Sequence, residues 1–372
     1  MIRQLIKLLA LDFLRFFFTL FYKEEKNKIY FCAYNGKQYT CNPKAISEKI
    51  HELAPKMKIV WSFVDPNKII EFPDYAIKVK KRSFRNYKEL FTAHYWVLNS
   101  GFVIHKKRKN QYYMDTWHGD RAFKRVDVPL HRKKTLVQAY RNADVVLSGS
   151  DYGDRVIREC MDYQGEILHS GSPRNDIFFK PSHDRILDLR KSLNLDSFDN
   201  LLLYAPTFRD SKERVDCLNF SLLLDQLEKR DNKKWACLVR QHYHVSTPDQ
   251  NYEDQRIIDV SSYHEMQELL LIADMVISDY SSLVGDFALL GKPVFLFVSD
   301  IKEYDVERGL MFDLKSSPFF WAEKEENLFE MILNISPETG KKNSKDILDF
   351  YGNVVEKGNA SDQACKWIMD RL

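Results

Sequence analysis

The sequence predicts an α/β protein of two doubly wound parallel-sheet domains, and three observations lead there. Short β-rich apolar runs recur: Ile29-Tyr30-Phe31, Ile59 to Val64, Tyr95 to Leu98 and Val145 to Leu147, then Leu201 to Tyr204, Ala236 to Val239, Met275 to Ile277 and Val294 to Phe297. Segments with helical spacing lie between them, such as Leu222 to Leu227 and Met266 to Ile272. Near-continuous apolar strands alternating with helices belong to parallel sheets buried on both faces. The length, 372 residues, exceeds one average domain, and 44% hydrophobic with 29% charged residues is a globular composition.

The first element, residues 1–24, is the compositional outlier. "MIRQLIKLLALDFLRFFFTLFYK" is strongly apolar, yet Arg3, Lys7, Asp12 and Arg15 interrupt it. It lacks the uninterrupted apolar core and small-residue site of a cleaved signal. Asp12 and Arg15 at mid-depth would also be costly in a spanning helix. On a helix, Arg3, Lys7, Leu11, Arg15 and Thr19 form one stripe, while Ile2, Leu5, Ile6, Leu9, Phe13, Phe16, Phe17 and Leu20 fill most of the rest. The pattern predicts an amphipathic helix lying in the membrane interface, peripheral and on the cytoplasmic face; the alternative is an ordinary core helix. An N-terminal α/β domain is expected over 25–180. A break near Lys180-Pro181-Ser182-His183-Asp184 leads into a second over 181–345, and a C-terminal helix closes the chain over 346–372.

A net charge of +3 is too small to imply nucleic acid. Basic clusters in the first half (Lys78 to Arg82, His105 to Lys109, His131 to Lys134) are either solvated faces or a surface leaning towards anionic lipid or a phosphate-rich substrate. The six cysteines show neither a CxxC pair nor zinc spacing, and several sit in apolar runs. Reduced core thiols in a reducing compartment follow, with no support for a thiol nucleophile.

Ligands bind beyond the carboxyl ends of strands in open parallel sheets. In the second half those ends read Pro206-Thr207-Phe208-Arg209, Arg240-Gln241-His242 and Ser278-Asp279-Tyr280-Ser281-Ser282. In the first half they read Asn99-Ser100-Gly101, Thr116-Trp117-His118-Gly119 and Ser148-Gly149-Ser150. If Ser281 or Ser282 caps the helix that follows, its first N–H groups and dipole favour phosphate oxygens. Asp279 would accept from a sugar hydroxyl or hold the loop. Strand-to-helix punctuation alone needs one Ser or Asp; five polar residues in a row exceed that need.

"TWHGD" (116–120), "GSPRND" (171–176), "APTFR" (205–209), "RQH" (240–242), "ADMVISDYSSLVGDFALLGKPVFLF" (273–297) and "RGLMFD" (308–313) resemble the CDP-glycerol glycerophosphotransferase family. Its members are membrane-associated enzymes of teichoic acid and related polyol-phosphate polymers. The motifs stand in family order over roughly residues 95–370, and "EKGNASDQACKWI" is similar to the family's closing segment. The chain departs at Asp120, where Thr usually follows Trp-His-Gly, and at Tyr243, where Pro is usual. It departs again at Lys357-Gly358-Asn359, in place of Asp-Gly-Lys.

The resemblance implies a GT-B-like pair of domains facing a cleft, with a CDP-polyol held by the second and the acceptor approaching from the first. An acceptor hydroxyl would attack the β-phosphorus and displace CMP. Such a step asks for positioning, charge stabilisation and a base for the hydroxyl proton. His118 is the candidate base and His242 the group that bonds the phosphoryl or assists the leaving group. Either could instead be a structural histidine. Arg209 and Arg240 would neutralise the diphosphate, or form buried salt bridges. The donor-binding set is therefore Thr207, Arg209, Arg240, Ser278, Asp279, Ser281, Ser282 and Asp286. No protein-bound metal and no cofactor is expected, nucleotide-borne Mg²⁺ remaining compatible. The expected partners are CDP-glycerol or another CDP-polyol, a polyprenyl-diphosphate-linked saccharide acceptor and the membrane surface; a homo-oligomer is allowed. A sugar-nucleotide glycosyltransferase of capsule or cell-wall polysaccharide synthesis and a non-catalytic scaffold are the alternatives.

Overall fold

A computed structural model describes residues 2–100, 107–125, 142–207, 218–241 and 252–372, with side chains of the first helix from residue 10 onward except 11. The chain divides into two compact units. One comprises 1–120, 126–176 and 355–372; the other comprises 121–125 and 177–354. The last residues thus return to the first unit. Two separate helices, Pro337–Tyr351 and Ala360–Met369, replace the single C-terminal helix expected from residue 346. Gly352, at φ 67°, takes a left-handed turn between them.

Among the described residues, the first unit holds seven strands. They are β1 (Glu25–Cys32), β2 (Lys58–Phe63), β3 (Ala76–Lys80), β4 (Ala93–Leu98), β5 (Tyr112–Asp115), β6 (Val145–Ser148) and β7 (Glu166–His169). Their order is β3-β2-β1-β4-β5-β6-β7, every pairing parallel. The second unit holds β8 (Asn200–Tyr204), β9 (Trp235–Val239), β10 (Ile257–Asp259), β11 (Met275–Ser278), β12 (Val294–Phe297) and β13 (Phe320–Ala322). Their order, β10-β9-β8-β11-β12-β13, repeats the same winding, again wholly parallel. Each sheet therefore reverses direction once, between β1 and β4 and between β8 and β11. Those reversals are where open α/β sheets bind ligands.

The cores follow the apolar runs. Phe31, Trp61 and Phe63 stack in the first unit beside Ile29, Ile59 and Val97, and the final helix adds Ala364, Cys365 and Ile368. In the second unit the helix Phe220–Asp231 buries Phe220, Leu223, Leu224 and Leu227, one stripe at helical spacing. Each such leucine contributes about 1.5–3 kcal/mol by leaving water. Asn219 caps this helix by accepting from the Leu222 N–H, and Asn232, left-handed at φ 55°, ends it.

The first helix, Ile2–Phe21, docks on the helix Phe84–Thr92. Phe18 is fully buried, its ring 5.1 Å from that of Phe84 and 6.0 Å from that of Phe91. Arg108 donates to the terminal carbonyls of Phe18 and Tyr22, which satisfies and neutralises the helix C-terminus. Phe13, Phe16 and Leu20 lie 62–66% exposed on the other side. No helix among the described residues is long and apolar enough to cross a membrane.

Candidate functional site

In the first unit, the polar groups gather where β1, β4 and β5 end. β5 stops at Asp115, whose carboxylate accepts from the Trp117 N–H and the Tyr113 hydroxyl. Trp117 then adopts a left-handed φ of 51°, a strained conformation for a bulky residue, costing on the order of 1–3 kcal/mol. The turn presents His118, half-buried, with Tyr34 edge-on at 5.3 Å between ring centroids. His118 Nδ1 bonds the backbone carbonyl of Asn99, at the end of β4. A carbonyl only accepts, so Nδ1 carries the proton and the neutral ring offers Nε2 as its basic nitrogen. The side chain of Asn99 accepts from the Tyr34 N–H at 2.8 Å, which ties the ends of β1 and β4 together.

Two residues that the sequence reading assigns no role hold that turn. Asn42, 1% exposed, donates through Nδ2 to the carbonyls of Thr116 and Trp117 at 2.9 and 3.0 Å. Its Oδ1 accepts from the Arg174 N–H, and Arg174 donates to the His118 carbonyl at 2.9 Å. Asp120 is buried and accepts from the Gly149 N–H and from the Ser148 and Ser150 hydroxyls. The carboxylate at this departure from the family pattern thus braces the end of β6. Asp176 of "GSPRND" accepts from the N–H groups of Ala360 and Ser361, fastening the last helix to the first unit.

In the second unit, the quoted Ser/Asp loop stands at the reversal between β8 and β11. Ser278 Oγ donates to the Ala205 carbonyl at 2.6 Å. Asp279, fully buried, accepts through Oδ1 from the N–H groups of Thr207 and Tyr280 at 2.8 and 2.7 Å. Of the two roles open to Asp279, the geometry supplies the holding of the loop. Ser281 and Ser282 remain partly exposed, as do Thr207, Arg240 and Gln241.

Two expectations are corrected here. The helix Leu283–Ala288 spans six residues, and Ser282 makes no side-chain cap. Ser281 Oγ accepts from Leu283 N–H, and the Ser281 and Ser282 carbonyls accept from Val284 and Gly285, so the row of open first-turn donors is not there. Asp286, expected among the donor-binding groups, is 2% exposed and pairs with the fully buried Arg121 at 3.1 Å, with Gln267 donating to its other oxygen. Its charge is spent inside the unit. Arg209 and His242 lie outside the described residues, as do the clustered cations at 105–106 and 131–134.

The described cysteines Cys32, Cys41, Cys160, Cys237 and Cys365 are free and buried. Burial pushes the Cys32 thiol up to about 11 and that of Cys365 to about 12, so neither is a thiolate at neutral pH.

Sequence and fold comparisons both find teichoic acid polymerases. The family described as CDP-Glycerol:Poly(glycerophosphate) glycerophosphotransferase matches residues 14–370. A teichoic acid poly(glycerol phosphate) polymerase of Staphylococcus epidermidis is 33% identical over 297 residues, covering 74% of this chain and 41% of that protein. One of Bacillus spizizenii is 29% identical over 363 residues, covering 92% of this chain and 91% of that protein. The solved structure of the wall teichoic acid polymerase TagF matches with a TM-score of 0.83 at 28% identity, over 93% of this chain and 89% of that one. A variant of TagF soaked with CDPG also gives 0.83 at 28% identity, over 99% and 97%. The chain spans under half the length of the S. epidermidis polymerase and of its Bacillus subtilis counterpart, 41% and 44%.

Proposed function

The chain belongs to the CDP-glycerol:poly(glycerophosphate) glycerophosphotransferase family, and from that premise we propose that it transfers glycerol phosphate from CDP-glycerol to a hydroxyl of a lipid-linked acceptor, releasing CMP. The product would be teichoic acid or a related cell-surface polymer. The observation that carries this reading is the set of polar residues that follow β8, β9 and β11 around the reversal of the second sheet: Ser281 and Ser282, partly exposed, with Thr207 and Arg240, of which Thr207 Oγ1 and Arg240 Nη1 are buried. A guanidinium fork and hydroxyls suit diphosphate oxygens and offer an apolar ligand little. Arg209 and His242 join the same donor set by sequence, with Ser278 and Asp279 shaping the loop. His118 serves as base on the acceptor side, in a GT-B-like division of labour between the two units.

The test is CMP release with CDP-glycerol, CDP-ribitol or a sugar nucleotide, given a polyprenyl-diphosphate disaccharide. Product mass should rise by glycerol phosphate units with CDP-glycerol. A glycosidic product from the sugar nucleotide alone would overturn the reading. Ser281→Ala and Arg240→Lys should each weaken donor binding by roughly 10- to 100-fold, the worth of one hydrogen bond to a charged group. Calorimetry on folded protein checks this; affinity unchanged in both would move the donor elsewhere.

The first helix supplies membrane attachment at the cytoplasmic face in this proposal. Phe13, Phe16 and Leu20 project at helical spacing from the side opposite Phe18. Replacing Phe13, Phe16 and Leu20 with serine should abolish sedimentation with anionic vesicles and leave unfolding unchanged, because the docked face is untouched. A variant that still sediments at moderate salt would refute it.

A further inference from the structure

Resting on the reading of His118 as base, we propose that Asn42 and Arg174 are positioning residues that set the orientation and tautomer of the His118 ring. Nothing in the reaction itself calls for either residue, yet together they close a ring of contacts around one turn. Asn42 spends both Nδ2 protons on the carbonyls of Thr116 and Trp117, the two residues before His118. Its Oδ1 holds the Arg174 N–H, and the Arg174 guanidinium returns to the carbonyl of His118 itself, with a second contact to Cys41 Sγ. Three successive carbonyls, 116, 117 and 118, are thereby fixed from one side. Trp117 needs such restraint, since a left-handed φ of 51° at a tryptophan relaxes unless its surroundings determine it. The ring's bond from Nδ1 to the Asn99 carbonyl depends on that backbone direction. If the turn rotates, the bond is lost and the neutral imidazole no longer prefers the form with Nε2 unprotonated. Residues 42 and 174 stand far from 118 in sequence, and the packing of the helix Cys41–Leu53 and of the 173–178 turn brings them there.

The experiment compares Asn42→Ala, Arg174→Ala, Arg174→Lys, His118→Ala and the double variant Asn42→Ala/His118→Ala in the full chain. Ring ¹⁵N shifts of histidine-labelled protein are read above the imidazole titration, with His118→Ala assigning the resonance. Native protein should show the Nδ1-protonated form, and Asn42→Ala and Arg174→Ala a mixture of both. This readout uses no substrate, so it stands apart from whether CDP-glycerol is the donor. In turnover of CDP-glycerol, both alanine variants should lose about 10²-fold in kcat, as misplacing a catalytic group by about an ångström does. KM for the donor should stay within about twofold, and Arg174→Lys should recover part of the rate. The double variant should be no slower than His118→Ala alone, because the clamp acts through that ring. Native tautomer and native kcat in both alanine variants would overturn the proposal. So would a further loss in the double variant. A native rate in His118→Ala would overturn the base reading and this inference with it. Should Asn42→Ala fail to fold, Arg174→Ala and Arg174→Lys decide by the same criteria.

Discussion

His118→Ala is expected to lower glycerol-phosphate transfer by about 10²–10⁴-fold while donor affinity changes less than about twofold, the usual worth of a general base. The attacking hydroxyl must lose a proton as its oxygen closes on phosphorus, and a neutral imidazole whose Nδ1–H is spent on the Asn99 carbonyl has only Nε2 to offer it. The ring is half-buried, with Tyr34 edge-on to it. A base must be uncharged to act. The rate should therefore fall as pH drops through the imidazole range, and that acid limb should vanish in the variant. Single-turnover rates and calorimetric donor affinities, measured beside those of His242→Ala, check the assignment. His242→Ala should weaken both binding and turnover if it holds the transferred phosphoryl. Normal turnover in His118→Ala with an inert, donor-binding His242→Ala would reverse the two roles.

What could be read from the sequence follows burial. β1, β2, β4, β8, β9, β11 and β12 lie inside the sheets, and their apolar runs mark them in the sequence. β3, β7, β10 and β13 stand at sheet edges, where half-exposed residues such as those of Ala76–Lys80 and Glu166–His169 break the apolar run. β5, Tyr112 to Asp115, carries a carboxylate and no branched aliphatic residue, so it does not stand out. The site divides in the same way. Parallel sheets put ligands at strand ends, so His118, Thr207, Arg240 and the 278–282 loop could be picked from the residues after each run. Asn42 and Arg174 act on the backbone around His118 through side-chain contacts across the fold. Such contacts leave no periodicity or local motif; Arg174 was visible only inside "GSPRND", and Asn42 not at all. Asp286 shows the converse. One carboxylate early in a helix reads the same whether it faces a ligand or an arginine 165 positions away.

That arginine makes Asp286 the position where the largest loss of stability is expected. Arg121 is fully buried, and Asp286 Oδ1 lies 3.1 Å from its Nη1. The Tyr351 ring, 5.8 Å from the guanidinium carbon, adds a cation–π contact. Asp286→Ala would leave the guanidinium buried without its carboxylate, and breaking one side of a buried pair costs about 3–5 kcal/mol. For a unit whose whole stability is on the order of 5–15 kcal/mol, that is a large share. Room for Arg121 to swing away is scarce: a methyl group on Gly285 would come within 2.3 Å of its Cδ. Gly285→Ala should therefore destabilise as well, by overpacking. Removing both charges at once, as in Arg121→Met/Asp286→Leu, should recover much of the loss, since a well-packed apolar pair replaces a buried ion pair at little net cost. Denaturant midpoints for the single and double variants measure this directly, and donor affinity on the folded fraction separates it from ligand contact. A stable Asp286→Ala that binds CDP-glycerol as weakly as Ser281→Ala would return the carboxylate to the donor site.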